Sequence, residues 1–144
     1  MLKKFTVLAL FSWVFTAFPL IAQPELINGI DANFPPFAYL DPTGTPTGFD
    51  VEALNWIAQK EEFTVTHQPM EWDSIVRSLK DKKIDIIASG LSITADRAQQ
   101  IAFTRSYWVI KQVVVVKADS TLTLEPVLSS GQNIGVQRGT SDAV

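Results

Sequence analysis

The chain has 144 residues, of which 47% are apolar, with no cysteine, one histidine and a formal net charge of −3. That apolar share supports a packed core rather than a disordered chain, at a length near one domain on a prior of about 150 residues. The acidic balance offers no basic field for nucleic acid. The Cys and His counts exclude a disulfide framework, a thiol nucleophile and a Cys/His zinc cluster.

Lys3 and Lys4 precede an uncharged apolar run from Phe5 to Ala22, broken by Pro19. Leu20 and Ala22 fall at the −3 and −1 positions of a plausible cleavage site, so the pattern predicts a secretory signal peptide over residues 1–22. The competing reading is a retained membrane anchor, because the run approaches spanning length; no positive stop-transfer flank follows it. No Cys follows the cleavage position, which excludes a lipoprotein. The mature chain is expected in an oxidising compartment without using disulfides.

Leu26 to Ile30 reads as a strand, and the Pro- and Gly-rich stretch Asp31 to Gly48 as a loop. Asp50 is the expected cap of a helix running to Glu61, with Val51, Leu54, Ile57 and Ala58 on its apolar face. Phe49 and Leu54 are expected to form a hydrophobic staple. Phe63 to His67 alternates as a second strand, and Asp73 caps a helix to Lys80. Ile84 to Ala88 is a short buried strand, Ser89 to Ile93 a turn, and Thr94 the cap of a helix over Ala95 to Ala102. Val109 to Lys117, with four consecutive valines, predicts a strand. Glu125 to Ser130 predicts a short helix, Asn133 to Val136 a strand, and Gly139 to Ser141 a turn. Strands alternating with helices predict a parallel α/β sheet, with any ligand at the carboxyl ends of its strands.

Chemistry-bearing residues gather at those ends. Asp31 and Phe34 follow the first strand, and Ser89, Gly90 and Ser92 follow the third; Trp72, before the second helix, falls on the opposite edge by strand order unless its loop folds over. Arg97 falls in the first turn of a helix, where a cation opposes the helix dipole and an anionic ligand would reverse the sign. Free N–H groups beside a guanidinium make a carboxylate site; the other reading is a surface ion pair with Asp96 or Glu125. Asp31 either faces a ligand donor or makes an Asx-turn before Pro35. Phe34 and Trp72 either wall a pocket or belong to the core. His67 reads as a plain strand residue, with no second His or carboxylate cluster to make it a metal ligand. No Ser/His/Asp arrangement, P-loop or GxGxxG is present, so enzyme signals are absent.

Three runs, GIDANFPPFAYLDPTGTPTGFDVEAL, WDSIVRSLKDKKIDIIASGLSITADR and IAFTRSY, together with the turn around Gln137 to Ser141, closely resemble solute-binding protein family 3. These are periplasmic amino-acid receptors of ABC importers. The resemblance implies a two-lobed α/β clamshell of the type II periplasmic-binding class. Residues 23–109 would form lobe one, and 110–144 a hinge strand and the start of a lobe two in which the chain stops short. It implies an exported periplasmic monomer that captures an amino acid or similar zwitterion, uses no cofactor or metal, and delivers its ligand to an ABC permease. Arg97 would take the ligand carboxylate bidentately, aided by Ser92. Ser89 and Gly90 would face the α-ammonium, Phe34 and Trp72 would sandwich the side chain, and Asp31 would meet its terminus. Gln137, Thr140 and Ser141 would close from lobe two. Gly90 and Asp142 depart from some members and leave ligand identity open. A cyclohexadienyl dehydratase and a receptor sensor module share this fold and stand as alternatives.

Overall fold

The computed structural model describes residues 23–129, 131 and 133–141; the signal-peptide segment, residues 1–22, lies outside them. The central strand is β1, Glu25–Ile30, flanked in parallel by β5, Thr64–Pro69, and β6, Ile86–Ile87. A second, antiparallel sheet joins β2, Asn33–Phe34, β3, Ala38–Leu40, and β4, Pro46–Thr47, inside the stretch expected to be a plain loop. Pro35, Pro36, Pro42 and Gly44 lie in the turns, and the residues between them, Pro46 included, still pair. Helix α1, Phe49–Lys60, packs on β5 and this small sheet, and α2, Ile75–Lys80, on β1 and β6. Two short helices complete the order, α3, Ala95–Ala98, and α4, Leu124–Ser129. Ile30, Ala38 and Val51 form the centre of the core, with Leu54, Ala58, Ile75 and Ile84 also buried. Among the described residues, no helix is long and apolar enough to cross a membrane.

Helix α1 begins without the expected cap. Gly48, at φ 116°, precedes it, and the N–H groups of Phe49 and Asp50 donate to the carbonyls of Pro36 and Phe37. Backbone thus satisfies the orphan donors that a side-chain cap normally takes. A Cβ at position 48 would stand 2.5 Å from the Phe37 carbonyl oxygen, so only glycine fits this approach. Asp50 is left inside the helix and buried. Its pKa is raised by burial, and the Tyr107 hydroxyl and Gly90 N–H oppose that shift. Neither reaches full hydrogen-bond geometry, and both carboxylate oxygens stand without a partner. The staple also fails: Phe49 is the first helical residue, stacks on Tyr107 and meets the rings of Phe37 edge-on and Trp108 at a tilt.

Other boundaries moved for similar reasons. Asp73 sits within a 3-10 turn, Trp72–Ser74, and its carboxylate faces Arg138 at 3.7 Å rather than capping α2. The strand expected over Ile84 to Ala88 shrinks to β6 because side chains replace ladder partners at both ends. Asp85 Oδ2 accepts from Ile27 N–H, and Asn28 Oδ1 accepts from Ala88 N–H. Thr94 does cap α3, its hydroxyl accepting from Arg97 N–H, but the helix ends at Ala98. The strands expected over Val109 to Lys117 and Asn133 to Val136 are absent. Val113 and Val115 are 79% and 88% exposed, and with no neighbouring strand the β-branched side chains have nothing to pack against.

Asn28 ties the main sheet together at its buried centre, with 0% exposure. Its amide donates to the Ala88 carbonyl and to His67 Nδ1 at 3.0 Å, while its oxygen accepts from Ala88 N–H. That leaves the His67 proton on Nε2, donated to Asn55 Oδ1 at 2.9 Å on α1. His67 is therefore more than the plain strand residue expected: it joins β5 to β1 and α1. The network accepts only the neutral ring, and burial holds the His67 pKa below its ordinary value. The unfolded chain gains a proton as pH falls through about 6.5, whereas the folded protein resists it until lower pH. The stabilisation is complete above that value and is lost as pH falls through the folded pKa. The difference in unfolding free energy between wild type and His67→Gln, read from urea midpoints, should shrink from pH 7.5 to pH 5. A difference independent of pH would contradict the network.

Candidate functional site

All three parallel strands end on the same side, and the segments that follow them converge there. Asp31 leaves β1, Trp72 follows β5, and Ser89 follows β6. The loop carrying Trp72 folds over the sheet, bringing its ring within 6.0 Å of the Arg97 guanidinium. A cavity of about 110 Å3 forms among Asp31, Phe34, Trp72, Ser89, Gly90, Ser92, Arg97, Gln137, Thr140 and Ser141. The sequence thus names ten residues that the fold brings together, and it omits two lining residues, Ile110 and Gln112. A signal for these existed: they share one parity of the alternation, and Gln112 is polar within a valine-rich run. A neighbouring apolar groove of about 770 Å3 lies between α1 and residues 101–110. The polar groups able to orient a small ligand gather in the smaller cavity.

Arg97 is buried, at 9% exposure. Its Nη1 donates to the Ser92 carbonyl at 3.0 Å and its Nη2 to the Gly139 carbonyl at 2.7 Å. Among the described residues no carboxylate approaches it within 4.0 Å, so the surface ion pair is not formed. Burial lowers its pKa, and the charge of Asp96 opposes that shift. An arginine nevertheless stays cationic in a protein. The site therefore holds a buried cation whose guanidinium bonds, among the described residues, go to neutral carbonyls. Its planar fork suits a carboxylate better than any other small anion except phosphate.

Asp31 supplies the opposite charge, at 7% exposure. Its Oδ1 accepts from Asn33 N–H at 3.0 Å, the Asx-turn bond, and its Oδ2 accepts from Gln137 Nε2 at 2.7 Å. Its own N–H donates to the Ser89 hydroxyl at 2.9 Å, which fixes the two strand ends to each other. Phe34 packs its ring where a Gly90 side chain would stand and stacks on Phe37. The Trp72 indole N–H is buried without an acceptor. Gln137 to Ser141 form a turn closed by the Thr140 hydroxyl on the Gln137 carbonyl, and Ser141 accepts from Gln112 Nε2. No group of three His, Asp or Glu side chains positioned to hold a metal occurs among the described residues.

The chain matches the family described as bacterial extracellular solute-binding proteins, family 3, over residues 26–143. It is 32% identical over 142 residues to ABC transporter arginine-binding protein 1 of Escherichia coli (strain K12), covering 97% of this chain and 56% of that protein. An ancestral arginine-binding protein, solved with arginine and again with glutamine, aligns at TM-score 0.58 and 36% identity over 60% of this chain and 38% of the other. A point mutant of domain 1 of the T. maritima arginine-binding protein, in its arginine-bound form, aligns at TM-score 0.56 and 39% identity, over 58% of this chain and 65% of that one. The chain spans about half the length of the curated relatives it matches.

The turn carrying Gln137 depends on Gly139. Its φ is +79°, and a Cβ there would stand 2.8 Å from Asp73 Cα. Gly139→Ala should cost about 1–2 kcal/mol for the left-handed conformation alone. It should also speed hydrogen exchange at the Thr140 amide, which donates to the Gln137 carbonyl. Unchanged stability and unchanged exchange would show that the turn does not rest on the site.

Proposed function

This chain belongs to the bacterial extracellular solute-binding proteins of family 3, and on that premise we propose that it captures an amino acid for an ABC importer. The observation that carries the reading is Arg97, a buried guanidinium with no carboxylate partner among the described residues, lining the same small cavity as the buried carboxylate of Asp31. A cation and an anion lining one cavity complement a zwitterion with a polar or cationic side chain. In this reading Arg97 and Ser92 take the α-carboxylate, and Ser89 and Gly90 lie near the α-ammonium. Phe34 and Trp72 wall the side chain, and Asp31 meets its end. Gln137, Thr140 and Ser141 close over it. The relatives named for arginine favour a basic side chain, and the structure solved with glutamine favours tolerance of an amide.

The remaining parts of the reading follow the family. Residues 23–109 serve as one lobe, and 110–144 as the crossing segment and the start of a second. The protein is exported and acts as a monomer. The signal peptide assigned to residues 1–22 directs it, and the permease of an importer receives the ligand. A binding role is favoured over the dehydratase alternative because the similar proteins are named as binding proteins.

Calorimetric titration over a panel of amino acids tests the site. Removing one member of a buried charge pair costs about 3–5 kcal/mol, so Arg97→Ala should weaken binding by about a hundredfold or more. Arg97→Lys should also bind poorly, because an ammonium lacks the planar fork. Ligand-free melting should fall modestly, since Ser92 and Gly139 lose their donor. Reduced stability with intact affinity would reduce Arg97 to a tie for the turn.

A further inference from the structure

Asp31 and Gln137 lie 106 residues apart and meet at 2.7 Å. Asp31 forms no ion pair among the described residues, so the side-chain donor it meets is a neutral amide. That amide is delivered by a turn anchored at the site's other charge, through the Gly139 carbonyl on Arg97. The two polar ends of the cavity are thus both occupied by the chain's own neutral groups.

We propose that Gln137 is a specificity-determining residue, its amide standing on Asp31 in place of the ligand's side-chain end, so that uncharged as well as cationic ends are accepted. The inference rests on the amino-acid reading above and deepens it. A buried carboxylate oxygen left without a donor is costly. With Gln137 in place, a ligand with an uncharged end leaves Asp31 satisfied and meets no such penalty. A guanidinium or ammonium end still gains charge-assisted bonds, because a carboxylate has about four lone-pair sites and only two are taken. Its advantage is blunted, since the amide already serves one oxygen. Without the amide, Asp31 depends on the ligand, and a cation answers it better than a neutral donor. Gln137 therefore acts through Asp31, as a positioning residue for its charge.

Arginine and citrulline have the same shape and differ in charge at the end, so they make the test. Titrate both into wild type, Gln137→Leu, Asp31→Asn and the double variant by calorimetry, with ligand-free melting as the control for folding. Wild type should bind both. In Gln137→Leu the arginine-to-citrulline affinity ratio should rise about fivefold or more, since bonds to an ionised pair exceed neutral ones. In the Asp31→Asn background the same substitution should leave the ratio unchanged. An unchanged ratio in Gln137→Leu, an equal change in both backgrounds, or wild-type binding of arginine with rejection of citrulline overturns the proposal alone. Wild type binding no amino acid overturns the functional reading and this inference with it. If Gln137→Leu does not fold, Gln137→Asn, one methylene too short to reach Asp31, takes its place with the same expected rise.

Discussion

A buried positive charge without a negative partner among the described residues is the constraint on which this structure turns. Arg97 stands at the start of a four-residue helix, capped by Thr94, with its guanidinium held by the carbonyls of Ser92 and Gly139. Carbonyl dipoles orient the fork and offset part of the cost of burial, but they do not neutralise it. Moving such a group to the surface would relieve the protein, yet the Trp72 ring beside it and the turn at Gly139 keep it inside. On the proposed reading, the ligand's carboxylate supplies the charge that Arg97 lacks among the described residues, while Asp31 lines the same cavity.

The sheet below makes that placement rigid. Asn28 has no exposure, yet it bonds to both neighbouring strands and, through His67, to α1. A polar residue at the centre of a sheet fixes register, because a slip of one residue would strand its donors and acceptor. Register in turn fixes where Asp31 and Ser89 emerge, and the bond from Asp31 N–H to the Ser89 hydroxyl joins those two ends. The oppositely charged groups of the cavity are therefore placed from the same three-stranded sheet, although Asp31 follows β1 and Arg97 lies in α3.

Local signals carried much of this. β1, α1 and β5 are legible from apolar spacing, and the Thr94 cap from its position three residues before Arg97. Asp31, Phe34, Ser89, Gly90 and Ser92 are legible because they follow strands whose carboxyl ends face a ligand in a parallel sheet, whereas Gln137, Thr140 and Ser141 are named only through the family resemblance. What local reading missed was supplied from elsewhere in the chain. Asp50 looks like a cap, but the carbonyls of Pro36 and Phe37 already hold the helix start. Four valines look like a strand, yet β-propensity expresses a fit to neighbours that the segment itself does not contain. One oxygen of Asp31 makes the Asx-turn bond that the sequence offers, and the other accepts from Gln137. Its meeting with Gln137, across 106 residues, leaves no periodic trace in the sequence.

The central claim is that Arg97 awaits a carboxylate. It is tested most directly by titrating the best-bound amino acid of the panel beside its own carboxamide, which keeps the side chain and ammonium but removes the anion. The account predicts that the carboxamide binds at least about a hundredfold more weakly, in line with the loss of one partner from a buried charge pair. Equal affinity for acid and amide would contradict it and leave the buried guanidinium without a ligand to explain it.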